Sequence, residues 1–456
     1  MRKPRAAEVE RCPLSPSQEF LCDKDEGEFT GSFGHRHILV NGWRITGKVG
    51  IDALQGALND LVARHEILRT RVVRDGDPRH QEIHPPCPAP LVIRDLPPAV
   101  GKSRDLQAEE LLNEAEAGTL SVRQLPLLRA VLGRFDDGDW ALVLIVHHTA
   151  TDAWSMSVLA RDLMSLYSQR CGSDPPGLPE VRQYREFARI QRARSADDAT
   201  GAYWREKLDG ARIFRLPAQR EPADHEGSSY SARVFTIGAA TTAAAIALAK
   251  AMNGSLFMVL LAAFYRLANE ITGTTDPVVP TFSLGRDPQF FDTVGFCVNF
   301  LPIRTSLPAG PASFREIVTL TKASCLDAYT HEVPFVRIVS QAPGLMAGMS
   351  KSLALVLFEV VQTPADTRTG QAGNIAYAEI VRRHPLAGGR DLPGGMLWAF
   401  EVTGRGETEA NAIYDQNQFG EPFMDRLIAR YQQILTESLA EPDQRRELRS
   451  GVGGTG

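Results

Sequence analysis

The chain has no long uninterrupted apolar run. Its basic start, Met1-Arg2-Lys3-Pro4-Arg5, leads into no hydrophobic stretch, so neither a secretory signal nor a membrane-spanning helix is expected. Cysteine is sparse and unpatterned. Cys12, Cys22, Cys87, Cys171, Cys297 and Cys325 form no C-x-x-C and have no histidine at metal-ligand spacing. That argues against a metal site or a disulfide frame and for reduced thiols in a cytoplasmic protein. Cys297 sits in an apolar run and reads as a small core residue. Basic residues are outnumbered, and a net charge of −5 excludes a general nucleic-acid binder. A P-loop, a dinucleotide glycine fingerprint and a Gly-x-Ser-x-Gly elbow are all missing, which argues against a serine acyl-enzyme. No internal repeat of fixed period is visible.

What remains is ordinary globular material: 456 residues, 43% apolar and 23% charged. A single core usually stops growing below this length, so two lobes are expected. Residues 36–46 read as a strand. Leu54, Ala57, Leu58, Leu61 and Val62 then recur at helical spacing. Strands follow at 67–74 and 139–147, and a helix over 154–169. The stretch Cys171 to Pro179 holds two glycines and three prolines in nine residues and reads as a linker. Beyond it come helices at 181–194 and 240–252. Asn253-Gly254 stops the latter, and Ser255 caps a helix carrying Phe257, Leu260, Leu261, Phe264 and Leu267. Gly254-Ser255-Leu256 has a superficial likeness to the modified serine of a carrier domain, but the cap explains it. Strands at 277–282, 297–304, 352–361 and 397–403, with helices at 312–329 and 421–439, complete the pattern. The alternation implies an α/β (α+β) fold in two lobes, 1–175 and 176–456.

One segment carries chemistry. Val143-Leu144-Ile145-Val146 reads as a buried strand that ends in His147-His148, with Asp152 four residues after the second imidazole and a helical pattern beginning at once. A strand running into a loop fixes a side chain while the loop admits substrate. Imidazole is the side chain best suited to take a proton near neutral pH. From the strand alone, His148 is either such a base or a satisfied core histidine. His147 should point to the opposite face, which suits packing or hydrogen bonding.

Several segments together resemble the condensation domains of nonribosomal peptide synthetases, within the wider chloramphenicol acetyltransferase-like superfamily. They are Pro13-Leu14-Ser15-Pro16-Ser17-Gln18, Arg64-His65-Glu66-Ile67-Leu68-Arg69-Thr70, His147-His148-x-x-x-Asp152 and Tyr184-Arg185-Glu186-Phe187-Ala188. Val294 to Arg304 and His331-Glu332-Val333-Pro334-Phe335 complete the set, in the family's order. The resemblance implies two acetyltransferase-like lobes forming a V with a tunnel between them. It implies a condensation enzyme of peptide or hybrid natural-product (antibiotic, secondary-metabolite) biosynthesis, an acyltransferase that joins a carrier-bound acyl or aminoacyl thioester to an amine or hydroxyl acceptor. His148 becomes the catalytic imidazole. Asp152 and Arg286, in Leu284-Gly285-Arg286-Asp287, become a structural salt bridge between lobes. The family pattern ends in Asp-Gly, whereas Ala153 follows Asp152 here. A β-carbon there costs about 1–2 kcal/mol if φ is left-handed, and otherwise narrows the space. Retained catalysis with altered acceptor access is the expectation.

Asn299 either lines the tunnel or satisfies backbone. Arg64, His65, Glu66, Arg69, His331 and Glu332 read as local structure. Arg182, Arg185, Arg189 and Arg192 fall at i, i+3, i+7 and i+10, a basic stripe that either attracts an acidic carrier or is a solvated face. No cofactor bound to the chain is expected. The phosphopantetheine arm of a carrier protein enters as substrate, the other substrate being a small acceptor or a second carrier. No nucleic acid or membrane is expected as partner, and the chain reads as a monomer. The absence of adenylation and carrier regions makes a free-standing enzyme the natural expectation, with an excised domain as the alternative. The rival functions are a catalytically inert docking domain of the same fold and an acyltransferase using coenzyme A thioesters.

Overall fold

The computed structural model describes residues 9–29, 31–194, 198–219, 230–346, 353–361, 368–382, 395–403 and 406–441. The chain opens with β1 (Glu10–Pro13), α1 (Pro16–Asp23), β2 (Ile38–Gly47), α2 (Ile51–Arg64), β3 (Thr70–Val73), β4 (His80–Ile83) and β5 (Leu91–Asp95). There follow α3 (Arg104–Ala117), β6 (Leu128–Asp136), β7 (Asp139–His147), α4 (Ala153–Arg170), α5 (Tyr184–Arg194) and α6 (Asp198–Lys207). The later half continues with β8 (Arg215–Pro217), β9 (Tyr230–Ile237), α7 (Ala239–Ala251), α8 (Leu256–Thr272), β10 (Val278–Ser283), β11 (Asn299–Arg304) and α9 (Phe314–Thr330). It ends with α10 (Phe335–Gln341), β12 (Leu353–Val360), β13 (Thr369–Ala372), β14 (Ile375–Glu379), β15 (Met396–Val402), β16 (Thr408–Asp415) and α11 (Glu421–Leu439).

Two larger sheets organise this material. The first has the order β13-β14-β2-β7-β6-β5 and the second β8-β12-β15-β16-β9. In β7 every residue from Trp140 to His147 is buried. Leu142, Leu144 and Val146 join the core shared with α2 and α4, while Ala141, Val143 and Ile145 join the one under α3. An unbroken apolar run is what a strand covered on both faces requires. Each buried Leu, Ile or Val contributes about 1.5–3 kcal/mol, so the end of β7 is rigidly placed. The register pairs Ile38 of β2 with His147, which fixes where the strand stops. The second half packs α8, α9 and α11 on its own sheet around Phe264, Phe358, Trp398 and Tyr431.

The division at residue 175 does not follow the core. Tyr184 and Phe187 of α5, then Phe290, Val294 and Cys297, all pack into the first half's cluster. β13 and β14 add two strands to the first sheet, β14 pairing with β2 from Ile375↔Gly47 to Glu379↔Trp43. Three segments of the later chain thus cross over and complete the earlier half. The crossing is tight: Gly47 has φ +114°, and a β-carbon there would lie 2.6 Å from the Asn374 carbonyl oxygen. The stretch after Arg170 has no regular structure until Tyr184, as expected of the Pro/Gly segment, so the helix placed at 181–194 starts three residues late. Within 67–74 only Thr70–Val73 is strand, because Glu66–Arg69 forms a single 3₁₀ turn. Among the described residues no single helix is long and apolar enough to cross a membrane.

Candidate active site

The paired imidazoles part company at the end of β7. His147 is fully buried and points toward the 31–37 loop. Its Nε2 lies 3.1 Å from the Gly34 carbonyl oxygen, and its Nδ1 accepts from the Thr149 amide at 3.2 Å. A carbonyl only accepts, so the proton is on Nε2. Burial pushes its pKa down to about 3, which keeps it neutral. His147 therefore braces the loop.

His148 begins a short 3₁₀ turn, His148–Ala150, and is half-buried. Its Nδ1 lies 2.8 Å from the Thr151 carbonyl oxygen. The same reasoning puts the proton on Nδ1 and the lone pair on Nε2, the state a general base needs. One face of the ring stacks on His37 at 4.6 Å between centroids and 25° between planes, and Phe296 meets it edge-on at 5.4 Å. His37 is itself oriented, its Nδ1 lying 2.8 Å from the Ser32 carbonyl oxygen. Sequence reading misses His37. It stands in a loop about 110 residues before the histidine pair, and a lone His ahead of a strand gives no signal.

Asp152 caps α4, with Oδ1 accepting the Ser155 amide at 2.8 Å. Its Oδ2 accepts from the Arg286 guanidinium and from the amides of Cys297 at 3.0 Å and Val298 at 3.2 Å. Burial opposes charge on Arg286, but the adjoining carboxylate outweighs it and raises the guanidinium's pKa. Arg286 also donates to the Thr293 carbonyl at 2.8 Å. Two glycines permit this approach. Gly285 has φ +60°, and a β-carbon there would fall 1.9 Å from the Cys297 carbonyl oxygen. One on Gly295 would fall 2.0 Å from the Tyr184 ring. The Tyr184 hydroxyl then donates to the Phe296 carbonyl at 2.8 Å and lies 2.8 Å from Ser15 Oγ. Buried Cys297 has its thiol pushed up to about 12 and serves as packing.

Ala153 is the first residue of α4 and is exposed. It is absent from the positive-φ positions, so its β-carbon carries no left-handed strain and acts by occupying space. That space is a cavity of about 1120 Å3 between the halves, walled by residues including Ala153, Trp154, Met258, Arg286, Tyr329 and Glu332. Asp152 borders it, whereas His148 is not among the walling residues. Asn299 combines the two alternatives. It lines the cavity, and its side chain donates to the Val333 carbonyl at 2.9 Å while accepting the Phe335 amide at 2.9 Å.

The arginine stripe is differently arranged. Arg182 precedes α5 and stands over the Phe290 ring at 6.0 Å. Arg185 pairs with Glu10 and Glu66, and Arg192 with Glu19. Arg189 lies near Cys12. Arg185 and Arg192 thus stitch α5 to acids of residues 10–66, while Arg182 and Arg189 are exposed, so the four do not form one solvated basic face. Arg64 and His65 both reach Asp162, at 2.8 and 2.9 Å, which their neighbours in sequence do not reveal. Among the described residues no cluster of three or more His, Cys, Asp or Glu could hold a metal ion.

A family model for the condensation domain matches residues 39–448. The chain belongs to the condensation-domain family. SgcC5 from Streptomyces globisporus, solved with (R)-(-)-1-(2-naphthyl)-1,2-ethanediol and sucrose, is 41% identical over 94% of this chain and 99% of that one, with a TM-score of 0.87. A linear gramicidin synthase protein of Brevibacillus parabrevis is 30% identical over 411 residues, which is 89% of this chain. The condensation domain described here spans 8% of that synthase's length. The X-domain from teicoplanin biosynthesis shares the fold, with a TM-score of 0.78 over 96% of this chain at 22% identity. The fold class foreseen from the sequence, that of the chloramphenicol acetyltransferase-like condensation domains, is thus the observed one.

Proposed function

We propose that this chain is an acyltransferase that condenses a carrier-bound acyl or aminoacyl thioester with a small-molecule hydroxyl acceptor, forming an ester. The observation that carries the reading is the tautomer of His148, whose Nδ1–H is held by the Thr151 carbonyl so that Nε2 presents a lone pair. The acceptor oxygen attacks the thioester carbonyl carbon as Nε2 takes the hydroxyl proton. The tetrahedral intermediate then breaks its carbon–sulfur bond, and the proton passes to the departing thiolate of the phosphopantetheine arm. Holding two substrates together between the halves supplies much of the rate. No cofactor bound to the chain enters these steps, and His147, Asp152 and Arg286 act by shaping the loop around His148.

The choice of hydroxyl over amine rests on SgcC5, solved with an aryl 1,2-ethanediol, at 41% identity over nearly the whole chain. The docking alternative has only the X-domain fold behind it, at 22% identity. The test is an intact-mass assay of a loaded carrier, with acyl-coenzyme A as a competing donor, against matched aryl diol and aryl amine acceptors. Ester from the carrier-bound donor, lost in His148→Ala, is the expected result. No product from any pair, or product undiminished in His148→Ala, overturns the proposal.

A further inference from the structure

The cavity between the halves contains a carboxylate that no cation among the described residues neutralises. Two other acids in the wall are matched, Asp152 by Arg286 and Asp287 by Arg194. Glu332 is not. It is half-buried and sits just after α9. Its Oε1 accepts from Asn299 Nδ2 at 3.0 Å and from the Ser283 hydroxyl. Both donors are neutral, and among the described residues no Lys, Arg or His forms an ion pair with it. Two neutral donors fix this carboxylate in place without a counter-charge, and a partly apolar wall strengthens its pull on a cation.

Two further features favour positive charge at the same place. Glu332 follows the C-terminus of a 17-residue helix, the end that carries the partial negative charge of the helix dipole. Tyr329, one turn earlier, is 39% exposed and lines the cavity, and an aromatic ring is a group that attracts cations. The turn between them is held firmly. The Glu332 amide donates to the Tyr329 carbonyl at 3.4 Å, and the His331 ring stacks on Tyr203 at 3.7 Å. The Trp204 indole also donates to the His331 carbonyl at 2.7 Å.

We infer that Glu332, with Tyr329 beside it, binds the ammonium group of an aminoacyl donor whose amine stays unacylated during condensation. The inference rests on the proposed reaction, in which the acceptor is a neutral diol and the cation must arrive with the acyl group. Glu332 then acts as a specificity-determining residue that selects aminoacyl donors over their desamino counterparts. The binding pocket for that ammonium is assembled by β10, β11 and the end of α9, all from the later half of the chain.

The test compares an aryl aminoacyl thioester with the same donor lacking the amine, in the wild type and in Glu332→Gln, which can still accept the Asn299 and Ser283 hydrogen bonds. The wild type should favour the amino donor in KM by roughly tenfold to a hundredfold, as expected for one charge-assisted contact. In Glu332→Gln this preference collapses toward unity. A calorimetric arm compares phenethylammonium with neutral phenethyl alcohol and needs no turnover. Glu332→Gln weakens binding of the amine and not of the alcohol. An unchanged donor preference, or equal loss for both calorimetric probes, overturns the inference. Failure of the wild type to condense either donor strikes the proposed reaction instead, and the calorimetric arm still decides the ammonium site.

Discussion

The replacement Asp152→Asn separates scaffold from chemistry at the most suggestive acid in the chain. The carboxylate is surrounded by donors: Arg286 and the amides of Cys297 and Val298 on Oδ2, and the amide of Ser155 on Oδ1. An asparagine cannot satisfy that set, because its amide nitrogen must face a donor in either flip. It also leaves the buried Arg286 guanidinium without its counter-ion. Breaking one side of a buried pair costs about 3–5 kcal/mol. In a chain of this size that corresponds to a fall in Tm on the order of 3–5 °C. Arg286→Gln should cost a similar amount, and the double variant less than the sum, with a coupling of about 1–3 kcal/mol. Thermal melts by circular dichroism, beside single-turnover condensation, read both quantities. Asp152→Asn that melts with the wild type yet loses condensation more than about a hundredfold would refute the scaffold assignment and make Asp152 a participant in proton transfer.

Removing the stacked ring in His37→Ala should lower kcat about two- to tenfold with little change in donor KM, since an aromatic pair is worth about 0.5–1.5 kcal/mol. His37→Phe should recover most of that loss, and pre-steady-state rates on both variants check it. Lowering pH should destabilise the fold through His147. Its pKa is depressed from 6.5 to about 3, so its contribution is fully present above 6.5 and is lost as pH falls from 6.5 toward 3. The loss is about 2 kcal/mol between pH 6.5 and 5, visible as a falling urea midpoint that flattens in His147→Gln. Ala153→Gly should admit bulkier acceptors by removing a methyl from the cavity wall, at a stability cost of no more than about 1 kcal/mol. Acceptor panels of graded width measure it, and an unchanged width preference refutes the spatial reading of Ala153.

The features legible in the sequence are those written in local periodicity. The boundaries of β7, α2 and α8 emerge from apolar runs and helical spacing, and Ser255 caps α8 as its chemistry requires. Where the period is diluted, reading fails. In α3, Glu109 and Glu116 are buried along with Leu111 and Leu112, so its sequence pattern lacks a clean apolar face. β13 and β14 hold only Thr-Gly-Gln-Ala and Ile-Ala-Tyr-Ala-Glu, too short and mixed to announce strands, and their place beside β2 is a long-range pairing that no local signal encodes. The site shows the same division. His147, His148 and Asp152 stand together in sequence, and family resemblance sets Arg286 opposite Asp152. The places of His37 against the His148 ring and of Glu332 in the cavity wall emerge only from tertiary contacts.

Those contacts make the candidate site composite. His148 and Asp152 belong to the earlier half, while Arg286 and the Cys297 and Val298 amides belong to a segment that leaves the later half, packs into the earlier core and returns as β11. Phe296, on that segment, contacts the His148 ring. Phe20 of α1 packs on Phe300 and Phe335 at 5.4 and 5.5 Å, tying the N-terminal helix to β11 and α10. Two halves that could move as units are thus bridged at the cavity by an ion pair and by aromatic packing, and elsewhere by β13 and β14, which form one end of the first sheet. Any displacement of the halves that separates Arg286 from Asp152 must leave a buried charge uncompensated. The geometry around His148 is therefore set by the docking of the halves as much as by the strand that carries it.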